Sequence, residues 1–143
     1  SNLYAFAIER SHQLMHNNSQ IGMIIPISAF ANSSMEELQQ LFKSEFGQMY
    51  ISTFHQRPAQ LFDGVLQRLS IFITNKQNTD HTIYTTGINR WYTETRNNLF
   101  CLLSYVESPQ SYQPHFVKLG SKIEVNIFNK YVTHIPIRNY IGS

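Results

Sequence analysis

Residues 57 to 68 read RPAQLFDGVLQR, placing an aromatic ring, a carboxylate and a glycine in succession between two guanidinium groups. A ring on a glycine turn is hard to bury. On local sequence alone, the favoured reading turns Phe62 back onto Leu61 and Val65 as a minor core residue. A second group with chemical potential is INRWY, residues 88 to 92, in which Arg90 stands beside Trp91 and Tyr92. Aromatics next to a cation can grip nucleic acid, although a tryptophan there is more often an anchor where sheet meets helix. His12 and His16 are four apart on a helical pattern and could share a metal, but no third ligand is evident nearby, so no metal site is expected. The chain has no glycine-rich phosphate loop, no cysteine-rich zinc pattern and no Gly-x-Ser-x-Gly elbow. No local signature ties a serine, a histidine and an acid into a triad. No residue is therefore assigned as catalytic.

The elements that would carry these groups read as α/β. Leu3, Tyr4, Ala7, Ile8, Ser11, Leu14 and Met15 follow helical spacing, and NNSQ breaks the pattern before IGMIIPIS, an apolar run expected of a strand covered on both faces. ANSSMEELQQLFKSEFG places Ser33 or Ser34 three residues before Glu36 or Glu37, a capping-box spacing. It carries Met35, Leu38, Leu41, Phe42 and Phe46 on one stripe and closes on Gly47. QMYISTF and RLSIFIT read as strands joined by the loop that bears Phe62. Beyond Lys76 the sequence predicts a short strand in TIYTTG and a helix over TETRNNLFCLLSYVE with Leu99, Leu102, Leu103 and Val106 inward. SPQSYQPHF reads as loop. A last short helix is expected behind Ser121 and Glu124, and THIPIRNYIGS shows no clear element. No repeat is visible.

At 143 residues with 42% hydrophobic content the chain has the size and apolar matter for one globular domain. No run of about 18 apolar residues and no signal-peptide layout appears, so membrane insertion and secretion are not indicated and a cytoplasmic location is expected. Cys101, the single cysteine, lies among apolar neighbours and reads as a packed, inert thiol suited to a reducing compartment. Net charge is +2 but uneven. Residues 1 to 56 carry two basic and four acidic side chains, whereas residues 57 to 143 carry nine basic and five acidic ones. The second part is the better candidate for an anionic partner, though on charge alone a solvated face with ordinary scatter is the favoured reading.

The order of these elements resembles a family. NLYAFAIERSHQLM, IGMIIPISAFANSSMEELQQLF, RPAQLFDGVLQRLSIFITNK and IYTTGINRWYTETRNNLF are similar to the segment that follows the catalytic Asn-Pro-Pro-Tyr loop in adenine-specific DNA methyltransferases of the large restriction-modification and phage-defence type. The resemblance runs from about Asn2 to Tyr131 and is most specific in LFDGVLQRLSIFI and INRWY. It implies the C-terminal half of a Rossmann-like methyltransferase sheet with a terminal antiparallel hairpin, followed by C-terminal helices. Residues 1–76 would form the second half of the catalytic domain, and residues 77–143 a helical extension towards the target-recognition region.

In such enzymes the target adenine leaves the DNA stack, and an aromatic residue on the loop before the last-but-one strand stacks on it. Phe62 matches that position, and the resemblance reverses the local preference for a core role. Asp63 and Gly64 would shape the turn. Arg57 and Arg68, and Arg90 further on, are candidates for the DNA backbone, with surface ion pairs an equal alternative for the first two. Pro26, Ile27 and Ser28 end a strand where open α/β sheets place ligands and would border the methyl-donor pocket, with plain strand termination as the alternative.

The resemblance also marks what the chain lacks. It contains no Asn-Pro pair and no Gly-x-Gly triplet. The catalytic loop and most of the S-adenosylmethionine site would then lie elsewhere, and the chain reads as a fragment that binds no donor and methylates nothing alone. A non-catalytic DNA-binding or assembly module of the same fold is the alternative. The family's sheet predicts residues 69–74 antiparallel between 21–27 and 49–54. The outer side of 21–27 would then be an unpaired edge, open to a second copy or to local segments.

Overall fold

The computed structural model describes residues 3–77, 80–109 and 115–134. Helix α1 spans Leu3–Leu14. The Lys76 ammonium donates to the carbonyls of His12 at 2.9 Å and Met15 at 3.1 Å, placing a cation at the carbonyl-rich end of the helix. Strand β1, Gln20–Pro26, leads through the short helix α2, Ser28–Ala31, and a 3-10 turn at Ser33–Met35 into α3, Glu36–Ser44. The serine capping box expected at α3 does not start it. The Asn32 side chain accepts from the Ser34 N–H at 3.1 Å and opens the 3-10 turn instead. Glu36 and Glu37 occupy the first turn of α3, where the helix dipole favours acids.

Strands β2, Met49–Phe54, and β3, Leu69–Asn75, are joined by the Phe62 loop. Beyond them come β4, Ile83–Asn89, the two-residue β5, Val106–Glu107, and α4, Lys122–Thr133. The sheet order is β1-β3-β2-β4-β5. Strand β3 runs antiparallel to both β1 and β2, with Leu69 opposite Pro26 on one side and Phe54 on the other. This is the expected insertion of the last hairpin strand between its neighbours. Strand β4 runs parallel to β2 and extends the sheet beyond residue 76. Among the described residues no strand pairs with the outer side of β1.

The pleat divides the sheet into two faces, each with its own core. On one, Ile25, Met49, Ile51, Phe72 and Ile83 meet Ile8 of α1 and Phe30, Leu38, Phe42 and Phe46 from the α2–α3 stretch. On the other, Phe54 packs with Ala59, Trp91 and Leu99. Strand β1 is therefore not covered on both faces, as its apolar run suggests. Helices α1 and α3 pack on the same side, and Ile24 on the opposite side is 45% exposed.

The helix expected over residues 93–107 is replaced by 3-10 turns at Thr93–Asn98 and Phe100–Leu102, followed by β5. Leu99 reaches the second core and Leu103 packs against it, while Leu102 points to solvent. Cys101 is exposed, contrary to the packed thiol expected, because the turns carry it away from the core that a regular helix would have faced. The C-terminal helix forms as the Ser121–Glu124 spacing requires, with Ser121 Oγ accepting from the Glu124 N–H at 3.2 Å. The tail from residue 135 and most of the 108–116 loop lie outside the described residues.

Strand β4 holds one extra residue against β2, since Ile51 faces Thr85 but Thr53 faces Ile88. Side chains replace the interrupted ladder. Thr86 Oγ1 accepts from the Thr53 N–H at 3.2 Å, and Asn89 Nδ2 donates to the Thr53 carbonyl at 3.0 Å. Gly120 crosses over this bulge so closely that a Cβ there would lie 2.6 Å from the Gly87 nitrogen. Gly120→Ala should therefore lower stability by about 1–3 kcal/mol, read as a lower midpoint in urea. An unchanged midpoint would mean that the α4 connection yields without strain.

Candidate functional site

Because β1, β2 and β4 are mutually parallel, their carboxyl ends share one edge of the sheet. That edge gathers Pro26, Ile27 and Ser28, the loop of residues 55–68, and Arg90, Trp91 and Tyr92. In open α/β sheets this is the edge where ligands bind. The loop is tied to its neighbours by backbone hydrogen bonds: His55 N–H to the Asn89 carbonyl at 2.9 Å, Ala59 N–H to Trp91 at 3.1 Å, and Ile27 N–H to Arg68 at 3.1 Å.

The turn itself separates adjacent apolar residues. Leu61 packs against the second core, whereas Phe62 belongs to neither core and leaves its side chain 48% exposed. The Val65 N–H closes on the Phe62 carbonyl at 3.2 Å, and Gly64 adopts φ +78°, a conformation that an L side chain resists. Asp63 is fully exposed. The local alternative, Phe62 folded back as a core residue, is not what the chain adopts.

Arg57, Arg68 and Arg90 are exposed, and none forms an ion pair with a described residue. Trp91 is the core anchor that its position allowed, 4% exposed among Phe54, Ala59 and Leu99. Its neighbour Tyr92 stands out into solvent. The edge thus presents exposed rings and three guanidinium groups that form no ion pair with a described residue. That combination suits a polyanion carrying flat bases. Of the donor-wall residues, Ile27 spends its N–H on Arg68, and Ser28 Oγ lies 3.3 Å from the Tyr4 hydroxyl.

Sequence reasoning gave Arg96 no role, yet it organises this edge. Its guanidinium donates to the Gln60 carbonyl at 2.9 Å and the Leu61 carbonyl at 3.3 Å, lies 4.9 Å over the Trp91 ring, and approaches Asp63 at 3.9 Å. No local signal could have found it, because its partners are 35 and 36 residues away. The His12 ring packs edge-on against Phe46 at 4.8 Å, and among the described residues no three metal-ligating side chains converge. Two concavities, about 320 Å³ between α1 and α3 and about 410 Å³ beside α4, lie away from the Phe62 loop. No helix among the described residues is long and apolar enough to cross a membrane.

No protein-family model matches the chain, and no curated protein matches it by sequence. Solved structures do match. Over 80% of its length the chain is similar to part of the ATP-dependent Type ISP restriction-modification enzyme LlaBIII bound to DNA, with a TM-score of 0.63 and 14% identity. Over 86% of its length it is similar to part of a nuclease-deletion mutant of the Type ISP restriction-modification enzyme LlaGI in complex with a DNA substrate mimic, with a TM-score of 0.64 and 13% identity. The chain spans only 9% and 14% of those two chains. What is shared is the fold: a mixed α/β unit with a five-stranded sheet and a C-terminal helix, of the kind found within Type ISP restriction-modification enzymes.

Proposed function

We propose that this chain is the part of a DNA adenine methyltransferase, of a restriction-modification system, that receives the extruded base. The observation that carries the reading is Phe62, an outward ring on a glycine turn at the carboxyl edge of the sheet. The adjacent residue, Leu61, turns inward and anchors the loop. A base displaced from duplex DNA loses its stacking partners, and a fixed ring at the point of delivery offers a replacement. Arg57, Arg68 and Arg90 contact the flanking phosphates by charge, which fixes position and carries no sequence information. The DNA-bound solved structures that share the fold support the same reading.

S-adenosylmethionine is the methyl donor that such a reaction requires. Pro26, Ile27 and Ser28 fit one wall of its site and no more. The Ile27 N–H is already engaged, Ser28 Oγ sits beside the Tyr4 hydroxyl, and these three residues supply no carboxylate to hold a ribose. The contribution of this chain is therefore shape next to the donor and stacking for the base. Along the outer side of β1, the reading places the strand that bears the catalytic loop, or a second copy of this chain when that strand is missing.

The test is methyl transfer by the longest polypeptide that carries these residues, with duplex DNA and labelled S-adenosylmethionine. Methylation should appear on the amino nitrogen of adenine. The 143-residue chain alone should neither transfer methyl groups nor bind the donor at micromolar concentration in calorimetry. DNA binding by the longer polypeptide without methylation would replace this reading with that of a DNA-binding module. Tight donor binding by the short chain would show the donor site to be misplaced.

A further inference from the structure

The stretch from Phe62 to Gln67 has few supports of its own. A Cβ on Gly64 would meet nothing within 4 Å, and both Asp63 and Leu66 face solvent. At its far end the stretch is held where the Arg68 carbonyl accepts from Ile27, and at its near end by Leu61, which packs against the second core. Between the core and the turn stands the Arg96 guanidinium, with one nitrogen on each of two successive carbonyls, those of Gln60 and Leu61. Asp63 adds a carboxylate on the same side at 3.9 Å, and as an exposed pair it contributes little energy by itself.

Arg96 is in turn aimed by its surroundings. Its central carbon lies over the Trp91 ring, and Trp91 is buried and accepts the Ala59 N–H through its own carbonyl. The 3-10 turn that carries Arg96 is fixed on both sides, by Thr95 N–H to Tyr92 at 2.9 Å and Leu99 N–H to Arg96 at 3.2 Å. A planar fork held against an indole can serve two carbonyls at once, whereas a lysine offers a single charged point on a flexible stem.

We infer that Arg96 is the positioning residue of the Phe62 turn, clamping the loop segment that leads into it so that the ring is held outward before any ligand arrives. Its purpose rests on the base-platform reading, but the clamp itself does not. In the 143-residue chain, Arg96→Ala and Arg96→Lys should each raise amide hydrogen exchange by about five- to tenfold at Ala59 and Val65, whose N–H groups bond to the Trp91 and Phe62 carbonyls on either side of the clamp, the effect of losing charge-assisted hydrogen bonds at a solvent-exposed site. Exchange over β3 should not change. Trp91 is the only tryptophan, and its emission should become more accessible to acrylamide in both variants. Native exchange in Arg96→Ala overturns the clamp, as does full restoration by lysine. A uniform rise that includes β3 overturns it too, since Arg96 would then only stabilise the fold.

A second arm uses a single-stranded oligonucleotide carrying 2-aminopurine, whose fluorescence falls on stacking. Phe62→Ala should remove the quenching, and Arg96→Lys should weaken it. If Phe62→Ala leaves the quenching intact, the base-platform reading fails while the exchange data still decide the clamp. If Phe62→Ala removes it and Arg96→Lys does not weaken it, the clamp has no part in holding the platform and the inference falls.

Discussion

Phe62→Ala should lower methylation by the longer polypeptide by about 5- to 150-fold, the rate equivalent of the roughly 1–3 kcal/mol that a stacked base contributes. It should do so with almost no change in melting temperature. The two effects separate because the ring is nearly half exposed and lies outside both cores. A buried phenylalanine truncated to alanine would cost about 3–5 kcal/mol, and activity would then disappear only through unfolding. Phe62→Trp sharpens the distinction. An open platform accepts a larger ring, whereas a packed site suffers from overpacking. Measured on duplex DNA with 2-aminopurine at the target adenine, the unsubstituted polypeptide should quench the probe and Phe62→Ala should restore its signal. Unchanged fluorescence together with a large drop in melting temperature would remove Phe62 from the site.

The helix α3 stripe was legible in the sequence because Met35, Leu38, Leu41 and Phe42 recur at spacings of three and four, which a strand's period of two does not satisfy. The C-terminal helix was legible for a different reason, since Ser121 and Glu124 are local partners whose hydrogen bond needs no tertiary context. Residues 93–107 misled because their leucines also fit a helical face. The free edge of β4 outcompetes that helix, pairing Tyr84 with Glu107 and Thr85 with Val106. Leu99 is meanwhile drawn into the core beneath the loop. Asn97 and Asn98 resist little, being weak helix formers.

Strand order is not a local property at all. The place of β3 between β1 and β2 followed from the family resemblance, and no alternation of Leu69, Ile71 and Ile73 could have specified it. The same limit applies at the candidate site. The turn was readable from Asp63 and Gly64, but which of Leu61 and Phe62 turns inward is decided by Trp91 and Arg96, both remote in sequence.

The largest loss of stability is expected at Phe42→Ala. The Phe42 ring is 1% exposed and lies at the centre of an aromatic group, with ring centroids at 5.2 Å to Phe30, 5.7 Å to Phe46, 5.2 Å to Phe72 and 6.3 Å to Phe116. Helix α3, the sheet and the 115–120 segment all meet on it, so no single neighbour can move in to fill the space. Truncation should cost about 3–5 kcal/mol, which for a chain of this size corresponds to a fall in melting temperature of about 10 °C or more. Phe42→Leu, which keeps much of the volume, should recover a large part of the loss. The second core, across the sheet, shares none of these rings. Below the transition, Trp91 emission and exchange at the hydrogen-bonded Ala59 and Val65 amides should therefore match the native chain, so that the Phe62 loop keeps its shape while the fold as a whole weakens. A cost below about 1 kcal/mol would mean that the helices on this face repack freely. A simultaneous change at Trp91 would mean that the two faces of the sheet are one cooperative core.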